Sequence, residues 1–150
     1  MTKNTKLVLG CGGVILIVLA IVLGVAVFFA YKGYSLYKVN DDGGRAFGAT
    51  TDQQGCLIEG LRRGKSMSDD RLGRFANGTF VQGCLEASTP VENFCVGVPD
   101  VTDRDAQSKW ANAECQKAGQ SGNAGCLQVY NEKHTYCGFP KPQDRATSQE

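Results

Sequence analysis

An uninterrupted apolar run, Leu7–Ala30, constrains this chain more than any other feature. LVLGCGGVILIVLAIVLGVAVFFA carries no charged residue and no Pro, Asn, Gln, Ser or Thr. At about 1.5 Å of rise per residue such a helix extends roughly 36 Å, enough to cross a hydrocarbon core of about 30 Å with some tilt. A cleavable signal peptide has a much shorter apolar region and a small-x-small cut site. Cleavage after Ala30 would follow Phe28-Phe29, a poor site, whereas Gly24-Val25-Ala26 is an acceptable one and keeps cleavage as the alternative. Val8-Leu9-Gly10-Cys11 imitates a lipobox, but the apolar run lies after Cys11 rather than before it. A pilin-type start would need an early Glu in this helix, and none is there. The expectation is an uncleaved anchor over 7–31 behind a short N-terminus, 1–6. Within it Ala20-xxx-Gly24 and Ala26-xxx-Ala30 are small-residue pairs through which a second helix could approach, although small residues are common in membrane helices anyway. Tyr31 and Tyr34, with Tyr37 and the Phe28-Phe29 pair, form an aromatic belt at headgroup level.

Six of the seven cysteines lie beyond the span, at 56, 84, 95, 115, 126 and 137. That number in so short a segment persists as disulfides only in an oxidising compartment, which places this segment outside the cytoplasm. Flanking charge decides little, because Lys3 and Lys6 before the span are matched by Lys32 and Lys38 after it. All 15 acidic residues and all but two of the 16 Lys/Arg follow Ala30, so the outer segment is close to neutral. Near-neutrality argues against nucleic acid as a partner and against a strongly charged substrate, so no nucleic acid is expected. The localisation expected is the inner membrane of a bacterial cell, single-pass, with the C-terminal domain periplasmic; a eukaryotic signal-anchored protein is the alternative.

Residues 32–48 read as a juxtamembrane segment. The 31/34/37 spacing suits a helix continuing about two turns past the membrane, and Asp41-Asp42-Gly43-Gly44 reads as a break that keeps the outer domain near the lipid. The domain itself runs over 49–138. Thr50-Thr51-Asp52 caps a first helix with apolar positions Cys56, Leu57, Ile58 and Leu61, ended by Gly64. A second helix starts at Ser68-Asp69-Asp70 and sets Leu72, Phe75, Ala76, Phe80, Cys84 and Leu85 at 3- and 4-residue spacing, with a possible kink at Asn77-Gly78. Ser88-Thr89-Pro90 stops it. Asp100 or Thr102 caps a third helix containing Trp110, and a fourth runs from about Asn123 to Cys137 through His134. No segment alternates with period two. The fold expected is all-α: an N-terminal transmembrane helix followed by about four short helices in two hairpins, with a disordered tail, 139–150. A domain of this size buries too little surface to be robust unaided, and disulfides of about 2–4 kcal/mol each make up the deficit.

Geometry prunes the fifteen possible pairings. Cys126 and Cys137 share one helix roughly 16 Å apart and cannot bond. A turn at Gly119–Gly122 brings Cys115 opposite Cys126, the same register carries Cys137 toward Cys95, and Cys56–Cys84 is left. This last pair strains a straight hairpin by about two turns unless the second helix kinks. The ten-residue gaps between cysteines depart from twin-CX9C hairpins, and Pro90 and glycines interrupt them.

Catalytic signatures are missing from the sequence. There is no C-x-x-C, G-x-S-x-G, P-loop or H-E-x-x-H, so no catalytic, cofactor or metal residue is assigned. The lone His134 shares a helical face with Cys137 and reads as a partly exposed histidine beside a disulfide rather than half of a nucleophilic pair. Arg62, Arg63, Lys65, Arg71 and Arg74 form a basic cluster that suits a solvated face, anionic lipid or an acidic partner. Asn77-Gly78-Thr79 is a glycosylation sequon, and Trp110 reads as core. The expectation is a non-enzymatic membrane-anchored protein whose outer domain binds a protein partner or serves as accessory subunit of a membrane complex. The alternatives are a thiol or redox enzyme using an unpaired cysteine, and a lipid- or ligand-binding helical domain.

Overall fold

The computed structural model describes residues 3–67 and 70–139, with side chains from residue 16 onward. The expected cap residues Ser68 and Asp69 and the tail 140–150 lie outside the described residues. The architecture is all-α, with five helices: α1 (Lys3–Gly48), α2 (Gln53–Gly64), α3 (Arg71–Ala87), α4 (Arg104–Lys117) and α5 (Ala124–Gly138). Among the described residues the only extended pairing is an isolated parallel bridge between Asp52 and Thr89. The chain divides into two compact units, Met1–Leu36 and Tyr37–Glu150.

The first unit consists of α1 up to Leu36. It is the one helix among the described residues long and apolar enough to cross a membrane, and none of its apolar stretch is buried against protein. From Leu16 to Phe29 the large side chains stand exposed, Leu16 at 69% and Phe29 at 68%. A helix apolar on every side satisfies its own backbone but gains nothing from water.

In the second unit α5 is the hub: it packs against α2, α3 and α4, and α2 packs against α3. Leu57, Phe80, Val81, Leu85, Phe94 and Val129 gather around the buried Cys56 and Cys84, and a smaller cluster joins Ala111, Tyr130, Cys115 and Cys126. Leu61 touches both clusters. Each short helix begins on a side-chain cap that satisfies an otherwise orphaned amide. The Asp52 carboxylate accepts from Gly55 N–H (2.7 Å), that of Asp70 from Leu72 N–H (3.0 Å), that of Asp103 from Ala106 N–H (2.9 Å), and the Asn123 amide oxygen from Cys126 N–H (3.0 Å). Neither Asp100 nor Thr102 caps α4. Asp100 instead holds the preceding turn by accepting from the Thr102 amide (2.8 Å) and hydroxyl (2.6 Å).

One further local reading of the sequence is corrected. Asp41–Gly44 is not a break: α1 stays helical to Gly48 because its last turns lie backbone-to-backbone on α3. A Cβ on Gly44 would collide with the Phe80 carbonyl and one on Gly48 with that of Cys84, while one on Gly83 would sit 2.6 Å from the Asp41 carbonyl oxygen. Glycine here permits a close approach, and the helical entropy it costs is offset by packing. Arg45 fastens the same contact by donating to Asp41 (2.9 Å) and to Glu86 of α3. α3 is continuous helix through Asn77-Gly78. It runs unbroken past α2, whose last residue, Gly64, meets Asn77 rather than the start of α3. That offset brings Cys84 level with Cys56 and leaves Arg71–Ala76 overhanging the end of α2.

Candidate functional surface

All six cysteines of the second unit are bonded, in the pairs Cys56–Cys84, Cys95–Cys137 and Cys115–Cys126, with Cα separations of 5.7, 5.5 and 5.9 Å. The bonds tie α2 to α3, the 91–99 connector to the end of α5, and α4 to α5. No thiol among these six is available as a nucleophile. Cys11 lies among residues whose side chains are not described.

The chain after α3 is held by a buried amide. Gln53, 5% exposed, donates from Nε2 to the Tyr136 hydroxyl (2.8 Å), and its Oε1 accepts from Val91 N–H (2.9 Å). Thr89 N–H donates to Thr51 (3.1 Å), and Gln53 N–H to Thr89 (3.2 Å). Satisfying both ends of a buried amide fixes the connector relative to α2 and α5.

His134 is buried, 3% exposed, rather than partly exposed beside Cys137. Its Nε2 lies 3.4 Å from the Asp100 carbonyl oxygen and its ring leans against Trp110, which meets Tyr130 edge-on at 5.7 Å. The surroundings are those of a packing histidine. Among the described residues no group of three His, Cys, Asp or Glu side chains is placed to hold a metal. Asn77 is also buried, with Nδ2 donating to the Gly60 carbonyl (2.9 Å), so the sequon is inaccessible in the folded domain.

The basic cluster divides in two. Glu59 binds Arg62 through two hydrogen bonds of 2.7 Å and Arg63 through one of 2.8 Å. The Arg62 hydrogen bonds, reinforced by Arg63, hold the Glu59 carboxyl at about 2, well below the ordinary 4.5. Arg63, so held, lays its guanidinium over the Phe80 ring at 3.6 Å and roofs the core. These two arginines are structural. Arg71 and Arg74 stand instead on the overhanging turns of α3, beside Leu72 and Phe75. The sequence pattern assigns those two apolar residues to the core, yet Leu72 is 68% and Phe75 49% exposed. Ile58 on α2 is exposed as well, at 61%. The relative helix lengths carried a signal for the overhang: α3 has 17 residues against 12 in α2, so one end of it must extend past its neighbour.

A shallow cleft of about 240 Å³ lies between α4 and α5, edged by Arg104, Gln107, Asn112 and Asn131 above Leu127. Gln107 Nε2 donates to Asn131 Oδ1 across it (3.3 Å). It has hydrogen-bonding capacity and one cation, but its lining contains no nucleophile–base pair.

On α1, Ala30 is exposed, as are Tyr31 (68%) and Tyr34 (64%), in keeping with a belt facing surrounding solvent or lipid. Ala20 and Gly24 are exposed too, and a Cβ on Gly24 would meet nothing within 4 Å. Leu7 is helical in backbone, with its side chain outside the described set. Comparison with family models, curated proteins and solved structures finds no match, so the functional reading stands on the chain's own chemistry.

Proposed function

We propose that this is a single-pass protein of the bacterial inner membrane, held by α1 with its N-terminus in the cytoplasm and its disulfide-bonded domain in the periplasm. There it acts without catalysis, by binding a partner protein as an accessory subunit of a membrane complex. The observation that carries the reading is the coexistence in one chain of a helix apolar on all sides and a domain whose six cysteines are all paired. The helix gains free energy only in lipid, and the bonds persist only in an oxidising compartment. With all six paired, none of them is the unpaired cysteine on which the thiol-enzyme alternative depends. Near-neutral charge argues against nucleic acid as partner, and contact through Ala20 and Gly24 in the bilayer or through the outer domain is open to the partner.

The test is cross-linking in intact cells followed by purification of the full chain in mild detergent. A discrete protein recovered in fixed ratio is the expected result. Recovery of the chain alone, carrying a bound lipid or small molecule in fixed ratio, would replace this reading with the ligand-binding one.

A further inference from the structure

We propose that the overhanging first turns of α3 are a lipid-docking surface: Leu72 and Phe75 insert at the bilayer interface while Arg71 engages anionic headgroups. The proposal rests on the anchored reading above. Three observations lead to it. Leu72 and Phe75 are large apolar side chains left outside the core, at 68% and 49% exposure, on a segment extending past the last residue of α2. Arg71 is exposed and adjoins them, and with Arg62 and Arg63 committed to Glu59 the stretch up to Phe75 still holds Lys65, Arg71 and Arg74 against Asp69 and Asp70. The Asp70 carboxylate in turn accepts from the helix amide of Leu72. An apolar pair beside a guanidinium is the pattern of an interfacial helix, whose hold on a membrane combines apolar burial with attraction to anionic lipid.

Lipid is favoured over an acidic protein because the chain carries its own apolar helix. Tethering keeps the bilayer at high effective concentration around the domain, so contacts too weak to recruit a free protein suffice. One helical turn with two apolar anchors matches a contact of that kind. It is small for a specific protein interface, which buries about 800 Å² per partner.

Hydrogen exchange read by mass spectrometry on the full chain tests this, in nanodiscs of phosphatidylcholine alone and of phosphatidylcholine with phosphatidylglycerol. Peptides covering residues 71–76 should exchange at least about three-fold more slowly in the anionic discs, while α4 peptides do not change. Leu72→Ser/Phe75→Ser should abolish the difference, and Arg71→Glu should reduce or reverse it. Because these side chains are exposed, all three substitutions leave the core intact, which unchanged exchange in α5 would verify. Identical exchange of 71–76 in both discs, with α1 protected, overturns lipid docking and leaves the anchor standing. Protection of 71–76 only when a co-purifying protein is retained overturns it in favour of a protein site. Unprotected amides over 16–30 would overturn the anchor and the docking together.

Discussion

Gly43 and Gly44 are neighbours in sequence and in helix, yet the structure makes opposite demands on them. A Cβ on Gly43 meets nothing within 4 Å. One on Gly44 collides with the Phe80 carbonyl oxygen and lies 2.9 Å from its carbon and 3.0 Å from the Cys84 amide nitrogen. These are backbone atoms of α3, and Cys84 is bonded to Cys56, so no flexible side chain can yield. The two helices would have to part by about 1 Å, an overpacking cost of roughly 1–3 kcal/mol. Both Gly→Ala changes gain the same helix propensity of about 1 kcal/mol, so it cancels when the variants are compared. Gly43→Ala should therefore be more stable than wild type, and Gly44→Ala less stable than Gly43→Ala by about 1–3 kcal/mol. At about 4–8 °C per kcal/mol for a domain of this size, the separation is easily measured. Thermal unfolding of the full chain in detergent with its disulfides oxidised, followed by near-ultraviolet circular dichroism, is the assay. Indistinguishable melting temperatures for the two variants would refute the packed-helix account and restore 41–44 as a linker.

Three further outcomes are expected. With its folded value at about 2 against an ordinary 4.5, Glu59 contributes stability that is complete above about pH 4.5 and is lost as pH falls through 2. Because Arg62 is largely exposed, Glu59→Gln should cost only about 1 kcal/mol at pH 7, a penalty that vanishes near pH 2 in urea titrations. Replacing both cysteines of a pair by serine should cost roughly 2.8 kcal/mol for Cys115–Cys126 and roughly 3.9 for Cys95–Cys137, because the denatured loops differ in length; equal midpoints in denaturant would contradict this. Tyr136→Phe takes the acceptor from Gln53 Nε2 and should cost about 1–3 kcal/mol. Its exchange signature should be faster amides over 89–94, and a change spread evenly over all helices would count against a local role.

Periodicity and cysteine spacing made much of the fold legible. The helices, the turn at Gly119–Gly122 and the cap at Asp52 follow from local chemistry, which acts over a few residues and shows itself in a few residues. What local pattern could not give was the offset between α2 and α3. Helical spacing names the face on which Leu72, Phe75 and Phe80 lie, but not how much of that face a neighbour covers. Phe80 is 2% exposed under Arg63, whereas Leu72 and Phe75, on the same stripe, reach past the end of α2. Asp41-Asp42-Gly43-Gly44 misleads for a related reason. Paired glycines signal a break when nothing touches them, and a close helix crossing when backbone does. Only the distant Phe80 and Cys84 decide between the two. His134 was misplaced because its burial depends on the Asp100 turn and Trp110, both remote in sequence.

The central claim is an anchored domain, fully disulfide-bonded, outside the cytoplasm. Non-reducing mass spectrometry of membrane-purified protein, alkylated before digestion, tests it most directly. The account predicts peptides linked as 56–84, 95–137 and 115–126, alkylation confined to Cys11, and an intact segment over 7–30. Seven alkylated cysteines would place the domain in a reducing compartment and contradict the topology. A mature chain beginning near residue 27 would contradict the anchor while leaving the outer domain as described.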